Sequence, residues 1–259
     1  VLVLCFVAFY ITAAWDVWWY GGRAMVQYYP VFAFPLVALL EWVGTKQWLK
    51  YLMIVLLAAS VYLNIWWTYH AHGGSLLHIE QMTKPFYWRV VGRWTAPEDV
   101  QKLLDTDAIF EGERSNVKLL YSNDFEQDNT ALTGGSIIQG LRSGKVDKQD
   151  IYSPAFTIPF SQNDADWIRA WGTFSISQKE WEVWKMPQFI LKFKKDGNEV
   201  KASMMRLHRY LYDGQTRRMY LDVPVPDKEI DSIEVFIWNA DTDKQTWFDE
   251  ISIESFDEG

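Results

Sequence analysis

Cysteine is nearly missing from this chain. Cys5 is the only one, so no disulfide framework exists and small-domain stapling is excluded. Charge is almost missing from the first 75 residues, which hold three bases (Arg23, Lys46, Lys50) and two acids (Asp16, Glu41). The whole chain has 25 bases and 33 acids, so residues 76–259 keep 22 and 31, an acidic balance of −9. No basic footprint is present there, which argues against a nucleic-acid partner. A Gly-rich phosphate loop, a nucleophile elbow and an HExxH helix are all lacking, so the common phosphoryl-transfer, hydrolase and metalloprotease signatures are excluded.

Long apolar runs take the place of the charges. Residues 1–14 and 31–40 carry no charge, and 51–69 (YLMIVLLAASVYLNIWWTY) runs 19 residues without one. About 20 apolar residues at 1.5 Å rise cross roughly 30 Å of hydrocarbon. The pattern predicts three membrane-spanning helices at about 1–15, 26–43 and 49–69, the first truncated. No basic stretch precedes residues 1–14 and Trp15-Asp16 follows them, unlike a signal peptide. The chain opens on Val1 within an apolar run, which predicts a longer parent protein upstream. WDVWWYGGRAMVQYYP (15–30) is rich in tryptophan and tyrosine, rings that collect where bilayer meets water, and reads as an interfacial loop. Lys46 and Lys50 lie in the turn before the third span. Positive-inside bias places that turn in the cytoplasm and everything after Tyr69 outside.

Residues 70–115 read as a connector. PFYWRVVGRW (85–94) mixes aromatics with Arg89 and Arg93 and suits either a headgroup-level segment or a packed connector. Thr95 and Glu98 stand in capping-box spacing with Pro97 in the first turn, predicting a short helix to about Leu104. His70 and His72, with His78 beyond, lack the second ligand pair of a zinc site and read as wetted histidines at the membrane edge. From residue 116 to 256 the period becomes two. Strands are expected in VKLLYSNDFE, GSIIQGL, DIYSPAFTIPF, WIRAWGTFSIS, QFILKFKK, NEVKASMMRL, RRMYLDVPVP, DSIEVFIWNA and TWFDEISIES. Asp196-Gly197 marks a tight hairpin, and Ile233, Val235 and Ile237 alternate with Glu234, Phe236 and Trp238. Short strands without intervening helices predict an all-β antiparallel sandwich.

LYSNDFEQ, IYSPAFTIPF and DSIEVFIWNADTDKQTWFDEISIE resemble a carbohydrate-binding-module-type jelly roll, the galactose-binding-like sandwich. The resemblance implies that the first and last strands lie together. It also implies a structural Ca²⁺ ion shared by Glu126 and Asp249 with backbone carbonyls; two exposed acids at strand ends are the simpler alternative. WDVWWYGGRAMVQYYPVFAFPLVALLEW with YLNIWWTYHAHGGSLLHIEQMTKPFYWRVV resembles the C-terminal end of bacterial multi-pass glycosyltransferase-like proteins of the dolichyl-phosphate-mannose mannosyltransferase (GT-C) type. That likeness implies a lipid-linked sugar donor whose phosphate Arg23, beside Asp16, would meet; snorkelling to ordinary headgroups is the alternative. The family's catalytic acid would lie upstream, so no residue here is assigned catalysis. Trp167, Trp171, Trp181, Trp184, Trp238 and Trp247 are candidates for stacking on sugar faces, but core packing accounts for most of them. Trp181 and Trp184, within KEWEVWK, are flanked by charges and are the least core-like. Two readings follow. In one, the chain ends an inner- or plasma-membrane glycosyltransferase-like protein of the cell envelope, with an extracytoplasmic domain binding glycan or acceptor. In the other, it is a non-enzymatic, membrane-anchored binding module for carbohydrate or protein.

Overall fold

The computed structural model describes residues 29–73, 76–77, 82–97, 100–106, 108–127, 138–161 and 164–259. The chain divides into two compact units, 1–100 and 101–259.

In the first unit, helix α1 (Tyr29–Gly44) and helix α2 (Gln47–Gly73) pack as a hairpin turned by Thr45 and Lys46. The Thr45 hydroxyl donates to the Trp42 carbonyl (2.7 Å), closing the end of α1. Leu52, Ile54, Val55 and Leu57 point to different sides of α2 and all are exposed. Among the described residues one helix, Gln47–His72, is long and apolar enough to cross a membrane. Helix α1 covers residues 29–43 of the span expected at 26–43; residues 26–28 and the run expected at 1–15 lie outside the described residues. Helix α3 (Lys84–Val90) occupies the aromatic connector, with the Thr83 hydroxyl accepting from the Phe86 N–H (3.2 Å) and Pro85 in its first turn. It buries Phe86 and Val90, and the Trp66 indole donates to the Arg93 carbonyl. His70 is not wetted. It is buried among the rings of Trp66, Tyr69 and Trp94, while His72 is exposed and His78 lies outside the described residues.

A 3₁₀ turn (Val100–Leu104) begins at the last residue of the first unit and leads into the second, in place of the expected α-helix; Glu98, the capping-box partner, lies outside the described residues. Nine strands follow among the described residues: β1 (Arg114–Asn123), β2 (Gly144–Val146), β3 (Phe156–Pro159), β4 (Trp167–Ile176), β5 (Gln188–Lys195), β6 (Asn198–Arg206), β7 (Thr216–Pro224), β8 (Ser232–Trp238) and β9 (Thr246–Glu258). All pairs are antiparallel. One sheet runs β1-β9-β4-β7 with β2 also on β9, and the other runs β3-β8-β5-β6. Only β1–β2 and the β5–β6 hairpin stay within a sheet; every other connection crosses over, the jelly-roll habit. The first and last strands are neighbours, with Arg114 opposite Glu258.

Local chemistry explains the frame. Asp196 (φ 50°) and Gly197 (φ 76°) supply the two left-handed residues that a type I′ hairpin requires, closing Lys195 onto Asn198. In β8, Ile233, Val235 and Ile237 are fully buried and their neighbours are not. Each such side chain contributes about 1.5–3 kcal/mol on burial. A bulge at Glu250 (φ 49°) resets the alternation of β9, so that Phe248 and Ile251 both enter the core. Opposite it, a Cβ on Gly172 would stand 2.5 Å from the Phe174 ring and 2.8 Å from Ile251, so only glycine fits. Phe174 meets Phe189 edge-on at 5.1 Å across the two sheets. One expected strand is not found: within GSIIQGL, the described residues 138–141 form a loop, and the strand there begins at Gly144.

Candidate functional site

Three connections meet at one end of the sandwich: 177–187 between β4 and β5, 207–215 between β6 and β7, and 239–245 between β8 and β9. They are tied by buried hydrogen bonds. The Glu180 backbone N–H donates to His208 Nδ1 (2.8 Å), so Nε2 carries the ring proton and faces the Thr246 hydroxyl at 3.1 Å. The Thr242 hydroxyl donates to Glu180 Oε2 (2.7 Å), and the Lys179 N–H donates to Asp213 Oδ1 (2.7 Å). Ala240 (φ 52°) and Asp241 (φ 71°) turn the third connection, with the Asn239 amide donating to the Thr242 carbonyl. Burial holds the His208 imidazole down at about 4, so the ring is neutral. Burial alone would raise the Glu180 carboxyl. The Glu182 N–H and the Thr242 hydroxyl outweigh it and leave that group below its ordinary value.

On this rigid base opens a cleft of about 590 Å³, lined by Lys179, Trp181, Tyr212, Asp213 and Lys244 among others. Trp181 is 73% exposed and Tyr212 62%, unusual for rings of this size. The Lys179 ammonium holds both, 4.9 Å from the Trp181 ring centre and 4.0 Å from that of Tyr212. Desolvation lowers its pKa from the ordinary lysine value, and the charge of Asp213 partly restores it. Two open ring faces beside polar side chains are the elements with which proteins grip a sugar, whose C–H faces are apolar and whose hydroxyls ring the edge.

Of the tryptophans read from sequence, Trp181 lines this cleft. Trp184, on the 3₁₀ turn Val183–Lys185, is exposed but does not line it. Trp167, Trp171, Trp238 and Trp247 are not in the core as expected. They occupy the outward positions that alternate with Ile168, Ala170, Ile237 and Phe248, and are half-buried there. Sequence reasoning missed Tyr212 and Lys179; the charge-rich run that drew attention to Trp181 also contains Lys179. Asp16 and Arg23 lie outside the described residues.

Glu126 and Asp249 close on one segment, 138–143. Glu126 Oε1 accepts from the Leu141 and Arg142 N–H groups (2.8 and 3.3 Å), and Asp249 Oδ2 accepts from the Ser143 hydroxyl (3.0 Å). Asp249 is not an exposed strand-end acid: it is buried, and desolvation raises its carboxyl above the ordinary range. A hard cation would relieve that cost, with the further oxygens drawn from backbone carbonyls. Among the described residues no group of three or more His, Cys, Asp or Glu side chains is arranged to hold a metal.

A second aromatic and cationic strip covers the outward face of β4, β7 and β9. Arg169 makes a two-pronged pair with Asp222 (2.6 and 2.8 Å) and stacks 4.0 Å from the Tyr220 ring. Both charged residues point outward yet are only 8% and 7% exposed, and Lys102, Thr106, Ala108 and Ile109 line a small hollow with Tyr220 and Asp222. Lys102 sits 3.5 Å from the Tyr220 ring, and Phe110 meets Trp167 and Phe256 edge-on. Asp105 fastens that segment, accepting from the Arg206 backbone N–H and from the side chains of Arg206 and Arg209.

No protein-family model matches the chain, and no curated protein matches it in sequence. Solved structures similar to it include the CBM22-1 xylan-binding domain from Paenibacillus barcinonensis Xyn10C, at 13% identity and TM-score 0.32, covering 56% of this chain and 98% of that one. The C-terminal family 22 carbohydrate binding module of Clostridium thermocellum Xyn10B is similar at 14% identity and TM-score 0.34, covering 53% and 94%. A family 16 carbohydrate binding module is similar at 12% identity and TM-score 0.31, covering 45% and 78%. Scores this low carry no weight of their own, and the fold stands on the strand pairing: the chain's second unit is a two-sheet antiparallel β-sandwich.

Proposed function

We propose that the sandwich binds a glycan in the cleft of Trp181 and Tyr212, and that the chain is the membrane-held, extracytoplasmic end of a cell-envelope protein of glycosyltransferase-like type. One observation carries the glycan reading: two large rings stand exposed over Lys179 on an otherwise fixed base. The modules named above are described as carbohydrate-binding, which accords with that reading without establishing it. Affinity electrophoresis or calorimetry of the full chain in detergent, against neutral plant and bacterial oligosaccharides, provides the test. Trp181→Ala and Tyr212→Ala should each weaken binding about tenfold to a hundredfold, since a stacked or hot-spot ring carries roughly 1.5–3 kcal/mol. Unchanged affinity in both variants would remove the site.

The membrane setting is supported by the helix Gln47–His72 and by Lys46 and Lys50 at its start. The transferase setting rests on the sequence likeness of residues 15–42 and 62–91, with a lipid-linked sugar phosphate near Arg23 and Asp16. The non-enzymatic reading, with the helices serving only as anchor, is favoured by a cleft built wholly from sandwich loops. In cells, with Cys5 replaced by Ser, Lys228→Cys should label from outside and Thr45→Cys should not. Labelling of both from one side would overturn this topology.

A structural Ca²⁺ held by Glu126 and Asp249 belongs to the same proposal, supported by the buried, raised carboxyl of Asp249. Because the ion would bind the folded state alone, it should stabilise by about 2.7 kcal/mol at a hundredfold excess over its dissociation constant. The full chain should then melt several degrees lower in chelator, and Asp249→Asn should be indifferent to chelator. Identical melting of the wild type with calcium and chelator would remove the ion.

A further inference from the structure

The lining of the cleft carries two bases, Lys179 and Lys244, and three acids, Glu180, Glu182 and Asp213, and their pairing is uneven. Lys244 is paired with Asp243 (2.7 Å), and Glu182 with Lys185 (2.9 Å). The Glu180 carboxylate is turned inward to the Thr242 hydroxyl and the Glu182 N–H. Asp213 spends one oxygen on the Lys179 backbone N–H, and its charge acts on the ammonium from beyond ion-pair distance. Lys179 is 8% exposed, and among the described residues no carboxylate lies within ion-pair reach of its ammonium. Its close neighbours are the two ring faces. A desolvated cation held between rings, in a site open to ligand, lacks an anionic partner in direct contact.

Resting on the glycan reading, we propose that the cleft selects an anionic sugar: a pyranose stacked on Trp181 or Tyr212 whose carboxylate or sulfate pairs with Lys179. The rings supply the sugar platform and the ammonium supplies the choice. A neutral sugar could use the same platform but would leave the cation as it is. An anion would convert it into a charge-assisted hydrogen bond, roughly twice as strong as a neutral one. Lowering of the lysine pKa by desolvation fits this role, because the bound anion restores what burial removes.

The test uses the full chain in neutral detergent and two matched pairs of probes: oligogalacturonate against its full methyl ester, and a sulfated galactan oligosaccharide against its desulfated form. In at least one pair the anionic member should bind about tenfold tighter, the effect of one charge-assisted contact. Its affinity should fall with salt while that of the neutral member stays level. Lys179→Met should erase the ratio between the anionic and neutral members of the pair, whatever it does to the neutral affinity itself, and Lys179→Arg, which keeps the charge, should retain that ratio. Equal binding within both pairs, lost in Trp181→Ala, would overturn the anionic preference and leave the glycan reading standing. A preference that persists in Lys179→Met would also overturn it. No binding of any probe would overturn both.

Discussion

The sandwich uses the same ingredients twice, to opposite ends. On the outward face of β4 and β7, Arg169 is stacked on rings and doubly bonded to Asp222, and Lys102, Thr106, Ala108 and Ile109 lie beside Tyr220 and Asp222. At the loop end, Lys179 is stacked on rings, lacks a carboxylate within reach among the described residues, and stands beneath rings open to solvent. A cation–aromatic cluster is therefore not in itself a binding site. Pairing and cover make the first a fastening for the connector. An unpaired ammonium and open rings leave the second free to meet a ligand, as proposed above.

That contrast can be broken most forcefully at the fastened strip. Asp222→Ala leaves the Arg169 guanidinium buried without its partner and should cost about 3–5 kcal/mol, read as a fall in melting temperature or denaturant midpoint. The double change Arg169→Met with Asp222→Leu should recover most of the loss, because a buried pair is replaceable by apolar packing where a lone charge is not. If Asp222→Ala melts like the wild type, the strip is not a fastening.

The next effect comes from the floor of the cleft. His208 is held neutral with a pKa of about 4 against an ordinary 6.5, so the folded state binds its proton less readily than the unfolded chain. The stability this confers is complete above pH 6.5 and drains away as pH falls from 6.5 to about 4, by roughly 3 kcal/mol. Asp249, raised by burial, acts in the opposite sense and favours the fold as pH falls. His208→Gln should therefore flatten the acid slope of stability or reverse it. An unaltered slope would mean that the imidazole is not what titrates.

The smallest effect sharpens the comparison from the open side. Trp181→Ala, which should abolish most glycan affinity, should shift stability by no more than about 0.5 kcal/mol, as surface changes do. A large drop in melting temperature would show that Trp181 braces the loops and would weaken its claim as a binding platform.

What could be read in advance divides along the same line. The Asp196-Gly197 turn and the alternation through Ile233, Val235 and Ile237 were legible because the forces behind them act within a few residues. Trp181 stood out because acids and lysines flank it. Tyr212 did not, since it joins Trp181 only when the β6–β7 connection folds back beside the β4–β5 connection. The pairing of Arg169 with Asp222, 53 positions apart, was equally invisible. So was the cover over the outward tryptophans, which made large rings look like core. The strand expected in GSIIQGL misled because a short apolar run reads alike in a loop anchored by Glu126 and in a sheet.

Strand β9 carries a consequence for how the molecule comes into being. It lies between β4 on one side and β1 and β2 on the other, and it follows all three in the chain. During synthesis, β1 must therefore wait for its partner through the emergence of everything up to residue 258. The other sheet is under no such delay, because β3, β5, β6 and β8 are complete once residue 238 has emerged. The ribosome thus delivers one finished layer before the second can close. For that interval β4 and β7 are already paired with each other, while the edge of β4 that will meet β9 stays open until the last strand, Thr246–Glu258, arrives.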